Sequence, residues 1–269
     1  MRSLVTFALL AAMAAPALTV HAADDTLARA KYQAALDLYA QRADLNKNLQ
    51  AQGLVEEGLA AVGDSQLKFQ LLILKARSKY WQGMNMPTTP KEPTMAVFEA
   101  AYNAAKDAYT TLPTAADGYY FYAISLGRWA LIKGKLASLS RKGELMDHLN
   151  KAIARTTLNG DAGESIDGYG PDRTYGKMYK ELPGFAGGDH TLAVRYTKKC
   201  YDNAPELALN SVYYAEALID GNATEKKLGC SVLEDLLKYE ATPEALNPDR
   251  IPETKQELKE GRDLYNDEC

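Results

Sequence analysis

The side chains best able to bind metal or act as nucleophiles are few: His148 and His190 beyond the first residues, and three cysteines, Cys200, Cys230 and Cys269. Neither histidine belongs to a set of ligands at metal spacing, so no metal site is expected. Asn159, Asp161 and Gly163 loosely follow a calcium loop, but the glycine of its turn and the terminal bidentate glutamate are missing. The chain has no Gly-x-Ser-x-Gly elbow, no His-Glu-x-x-His helix and no phosphate-cradling loop. Neither catalysis nor a cofactor is expected.

Aromatic and charged groups offer binding chemistry instead. Seventeen tyrosines is a high count, and four consecutive rings, Tyr119 to Tyr122, cover every side of one helical turn, with Trp129 two turns on and Tyr213-Tyr214 repeating the theme. Tyr119, Tyr122, Trp129 and Tyr213 are candidate binding residues, because rings with an apolar body and a polar tip suit a groove for a ligand or peptide. The competing reading, which covers most of the tyrosines, is filler between stacked helices. Asp172-Arg173 and Arg128 complete the candidate set. Together they could fix a long loop against a buried helix, or they could be a helix cap and two snorkelling arginines.

The elements that must position these groups are helices. Residues 1–22 are set aside as a cleavable leader: Arg2 is its basic end, Leu4 to Leu18 is an apolar run short for a bilayer, and Val20-His21-Ala22 fits a cleavage site. No lipid-acceptor cysteine lies near that site, and export to the periplasm is expected. Residues 23–269 are then read as one helical domain. With a formal net charge of −4, the chain carries no basic surface for nucleic acid.

Periodicity and punctuation predict helices over about 25–42, 46–62 and 65–82. Thr89-Pro90-Lys91-Glu92 reads as a capping box that opens a long helix ended by Pro113, and Thr114 to Asp117 as a second capping signature before the apolar helix of residues 118–134. Helix six follows over 136–156, then a polar loop over 158–170. Gly170-Pro171-Asp172 opens the next helix, Pro183-Gly184 stops it, and Asp189 caps another over 190–203. Helices at 209–219, 224–239 and 253–266 close the chain, with Asn222 and Glu225 as cap and box partner.

Alternate helices share one spacing, a residue followed by positions +4, +7 and +12. It reads Ala51, Val55, Gly58, Gly63; Ala101, Ala105, Ala108, Pro113; Leu145, Leu149, Ala152, Thr157; Ala193, Thr197, Cys200, Pro205; and, weakly, Gly229, Leu233, Leu236, Ala241. These are the offsets of the second helix of a tetratricopeptide repeat, where a small residue at +7 lets helices approach closely. The fold class expected is all-α, an array of degenerate helical hairpins with long turns. The alternative is an irregular helical bundle with alanine-rich faces.

The segments YYFYAISLGRWALIKGKL and GYGPDRTYGKMYKELPGFAGGD, followed by a helix ending in Ala-Pro and by the helix Tyr-Tyr-Ala-Glu-Ala-Leu, carry a further signal. In them the chain resembles the periplasmic tetratricopeptide proteins that form the T component of TRAP transporters. The resemblance implies an all-helical fold of degenerate repeats, a homotrimer, and association with the substrate-binding protein of a TRAP uptake system.

Cys200 takes the small +7 position of its repeat, which packing alone explains. Cys269 ends a charged helix with little apolar surface to dock it, and a bond to Cys230 would tie that end down. A Cys230–Cys269 disulfide with Cys200 free is therefore expected. Two functions stay open: a periplasmic scaffold that binds a protein partner on a concave repeat surface, or a binder of a small apolar ligand in a pocket between helices.

Overall fold

The computed structural model describes the backbone of residues 15–269, and side chains from Asp25 onward except that of Lys135. The expected leader, residues 1–22, lies outside the residues whose side chains are described. Twelve α-helices follow one another: α1 Ala15–Ala40, α2 Leu45–Ala61, α3 Ser65–Met84, α4 Lys91–Thr111, α5 Ala116–Lys133, α6 Lys135–Ile153, α7 Ile166–Glu181, α8 His190–Asn203, α9 Ala208–Ile219, α10 Ala223–Leu237, α11 Pro243–Leu246 and α12 Ile251–Glu268. The only β pairing among the described residues is two isolated bridges at Thr156. None of these helices is long and apolar enough to cross a membrane.

Short polar residues start several helices by accepting the amides that have no partner in a first turn. Asp64 accepts from Leu67 N at 2.7 Å, and Asp189 from Leu192 N at 2.9 Å. At α10 the box is complete: Asn222 Oδ1 accepts from the amides of Thr224 and Glu225, and Glu225 Oε2 accepts from Asn222 N at 2.9 Å. Two expected caps do not form. Pro90 rather than Thr89 precedes α4, without a side-chain cap. At α5 the Ala116 amide donates to Thr156 O at 2.8 Å, and Asp117 turns away to accept from Leu158 N at 2.9 Å. Tertiary partners from the loop after α6 replace the local cap there.

Consecutive helices pair as hairpins, α1 with α2, α3 with α4, α5 with α6, α7 with α8 and α9 with α10. The repeat positions face those partners: Ala51, Val55 and Gly58, Ala101, Ala105 and Ala108, Leu149 and Ala152, Ala193, Thr197 and Cys200, and Gly229, Leu233 and Leu236 are all buried, with Leu145 half-buried. Close approach explains the small residues. A Cβ on Gly176 of α7 would lie 2.5 Å from Thr197 Cγ2 of α8, well inside contact distance. The odd-numbered helices α3, α5, α7 and α9 also touch one another in series, so the core runs through the array.

The array curves until its ends meet. Helix α12 packs on α9 and α10, and Cys230 of α10 is bonded to Cys269 at its end. At its other end Glu253 receives both Nε and Nη2 of Arg42, which lies just after α1, in a pair that is nearly buried. Arg42 also lies over the rings of Tyr39 and Trp81, and its carbonyl accepts from Trp81 Nε1 at 2.7 Å. The guanidinium thus binds the first two hairpins to the last helix.

Candidate functional site

Between α5, α7, α9 and α12 a cleft of about 300 Å³ opens, lined by Arg128, Lys177, Val212, Tyr213, Glu216 and Glu260. Four helices supply them: Arg128 from α5, Lys177 from α7, Val212, Tyr213 and Glu216 from α9, and Glu260 from α12. Leu264, one turn after Glu260, adds apolar lining. A volume of this size lies at the lower end of the range for small-molecule sites, roughly 300–1,000 Å³.

The charges of the cleft fall into two kinds. Lys177 and Glu216 form a closed group: Lys177 Nζ donates to both Glu216 oxygens at 2.7 Å, and Lys180 Nζ reaches Glu216 at 3.2 Å and Asp220 at 3.1 Å. Lys177 also lies 4.9 Å over the Tyr213 ring. Burial would lower the Lys177 ammonium, but Glu216, Tyr213 and Glu181 outweigh it and raise its pKa. Arg128 and Glu260 are different. Among the described residues Arg128 makes no ion pair, and its one hydrogen bond goes to the Tyr80 hydroxyl at 3.3 Å. That hydroxyl, helped by Tyr213 and Glu260, strengthens its hold on the proton against burial. Glu260, an exposed residue, forms no ion pair either; desolvation raises its carboxyl above the usual range, and Arg128, Lys177 and a side-chain hydrogen bond with Gln256 pull it partly back. The two opposite charges sense each other across the cleft without closing to within 4 Å.

The predicted site residues are spread over several environments. Arg128 and Tyr213 share the cleft. Tyr119 and Tyr122 do not reach it: Tyr119 stacks on Tyr109 at 4.7 Å, and Tyr122 stacks on His148 at 4.2 Å while donating to Glu144. Trp129 is buried beside Tyr102, with Lys133 4.4 Å over its ring, and its indole N–H has no partner among the described residues. These rings fill the space between α4, α5 and α6.

Asp172 and Arg173 are both buried, but they do not form one cluster with Arg128. Asp172 pairs with Lys199 of α8 at 3.2 Å. Arg173 turns to the start of α7, where Asp167, Gly168 and Tyr169 all take left-handed backbone angles, φ 50°, 59° and 62°. A left-handed turn costs about 1–2 kcal/mol for each non-glycine residue, so tertiary contacts must hold it. They do: Arg173 donates to the carbonyls of Asp167 and Gly168, to Asp167 Oδ2 at 2.7 Å and to Asn210 Oδ1 at 2.8 Å. Asp167 also accepts from Tyr120 at 2.7 Å and from Arg250 at 2.9 Å. Burial alone would raise the Asp167 carboxyl; Arg250 and Arg173 outweigh it and hold it below the usual range.

Lys177, Glu216, Glu260 and Tyr80 are cleft or cleft-side residues that sequence reasoning missed. Two left a signal: Lys177 stands one turn after Arg173, and Glu216 stands three residues after Tyr213 on the same helical face. Glu260 left none, because its place depends on how the array closes.

Cys200 is buried with its thiol pushed up to about 12 by burial, which leaves it unreactive at neutral pH. No three His, Cys, Asp or Glu side chains among the described residues converge as a metal site. A second cleft, about 250 Å³, lies between the α7–α8 turn and Asp220, beside His190. Compared with known proteins, the chain matches no family model and no curated sequence.

Proposed function

We propose that this chain is a non-catalytic helical-repeat scaffold of the periplasm that holds a protein partner, the substrate-binding protein of a TRAP-type uptake system. The partner class rests on the sequence resemblance, and so does trimeric assembly. The Cys230–Cys269 bond fits an oxidising compartment.

The observation that carries the docking reading is one edge of the array. Lys142 Nζ donates to Ala186 O at 2.8 Å, which seats the α7–α8 turn against the first half of α6. At that edge Leu136 is 84% exposed and Phe185 90%, and Leu131 is exposed nearby. The chain from Lys133 to Gly143 holds Lys133, Lys135, Arg141 and Lys142 and no acid. Large exposed apolar side chains beside a stretch of sequence that is basic and free of acids suit a partner surface with an apolar centre and acidic groups around it.

The reading is tested by periplasmic pull-down with mass spectrometry, using the full chain and a Leu136→Glu/Phe185→Glu variant whose helicity is checked by circular dichroism. Recovery of a substrate-binding protein with the parent chain but not with the variant supports it. Equal recovery by both, or no substrate-binding protein with either, overturns it. Analytical ultracentrifugation of the parent chain tests the trimer separately.

A further inference from the structure

The cleft goes beyond that reading, since none of the residues that line it belongs to the edge assigned to the partner. Its charge arrangement is specific. Lys177, Lys180 and Glu216 already satisfy one another. What remains is one cation, Arg128, and one anion, Glu260, both lining the same cavity and neither in an ion pair among the described residues. Arg128 is half-buried, and a charge so placed is costly unless something supplies its missing hydrogen bonds; Glu260 is exposed and hydrogen-bonded to Gln256, which leaves its carboxylate open to a cationic group. Arg128, with only a long bond to Tyr80, lacks an acceptor that could take its guanidinium fork. Glu260 lacks a cationic donor. Between them lie apolar surfaces, Val212, Leu264 and the face of Tyr213.

We propose that the cleft binds a free zwitterion of the α-amino-acid class, with its carboxylate on Arg128, its ammonium on Glu260 and an aliphatic side chain against Val212, Leu264 and Tyr213. A ligand with only a carboxylate would leave Glu260 without a cationic partner, and one with only an amine would leave Arg128 without an anionic one. The cavity of about 300 Å³ admits a molecule of amino-acid size. An apolar ligand, the alternative expected from the sequence, would strand both charges.

Calorimetric titration of the purified full chain with the proteinogenic amino acids, one at a time, tests the proposal without any partner protein. At least one aliphatic amino acid should bind. For leucine, the matched analogues are 4-methylpentanoate, which lacks the amine, and 3-methylbutylamine, which lacks the carboxylate; each should bind roughly tenfold or more weakly, the scale of one lost charge-assisted contact. Arg128→Gln should abolish the titration. Glu260→Gln, at an exposed position, should leave leucine and 4-methylpentanoate binding alike. Failure of every amino acid to bind, or 4-methylpentanoate matching leucine on the parent chain, overturns the proposal. Circular dichroism melting of both variants separates loss of fold from loss of site.

Discussion

Arg128 and Arg173 stand on neighbouring inner helices, α5 and α7, and end in opposite conditions. Arg173 is nearly buried and saturated: carboxylate, two carbonyls, an amide oxygen and a phenol surround it. Arg128 is half-buried, opens on a cavity and has one long hydrogen bond. The first kind of arginine is architecture, because its partners are strained backbone and distant helices that it holds in place. The second has spare donors, and spare donors inside a cleft are what a ligand can use. The contrast locates the site better than burial or aromatic content does, since the most aromatic part of the molecule, around His148, is packed shut by its own rings.

The strongest way to break the contrast is to remove the saturated partner. Arg173→Met leaves Asp167 with Arg250 as its one ion-pair partner and the Tyr120 hydroxyl as its other donor, and releases the left-handed turn. Breaking a buried pair from one side costs about 3–5 kcal/mol, and a shift of that size should appear in the urea midpoint. A loss below ~1 kcal/mol, the value typical of an exposed pair, would mean that the turn holds itself.

Next in size is the bond that anchors α12, the helix that carries Glu260. Cys269→Ser opens a cross-link between residues 39 apart in sequence, for which about 2–4 kcal/mol is typical. Hydrogen exchange should quicken along α12 while the hairpin of α7 and α8 stays protected. Equal quickening in both would show that the closure of the array, rather than the last helix alone, depends on the bond.

A pH titration sharpens the same comparison with a definite sign. Asp167 is held below the ordinary carboxylate range, so the stability it contributes is complete above the unfolded-state pKa of about 3.9 and is lost as pH falls through the folded value. Buried Glu257, raised by burial, acts with the opposite sign and loses stability as pH climbs through its range. Asp167→Asn should therefore flatten the acid limb of a stability–pH curve measured by urea unfolding. An unchanged acid limb would remove Asp167 from the network.

Much of the architecture was legible because helix signals are local. The +4 and +7 positions depend only on helical periodicity, and the Asp189 and Asn222/Glu225 caps only on residues three apart, so they could be read and they do face partners or cap helices. The cap at Thr114 could not be judged locally, since Ala116 and Asp117 take their partners from a loop some forty residues on. The turn at Asp167 to Tyr169 read as loop for a similar reason: only Gly168 favours a positive φ by its own chemistry, and Asp167 and Tyr169 are held there by Arg173, Arg250 and packing. The cleft was half legible. Arg128 and Tyr213 stood out as residue types, but grouping Arg128 with Asp172 and Arg173 failed because helix faces, not sequence neighbours, decide which inner side chains meet.

The smallest expected effect is also the most telling. In Arg128→Met the cleft loses a charge, and the fold loses only one long hydrogen bond to Tyr80, while the apolar stem is largely kept. Substitutions that break no saturated network usually fall within about ±0.5 kcal/mol, so the melting curve of Arg128→Met should overlay that of the parent chain. Ligand titration of the same sample should nevertheless be silent. A loss of stability comparable to that of Arg173→Met would make Arg128 another structural arginine and erase the distinction between the two regions; unchanged stability with abolished binding leaves the cleft as a site and not a strut.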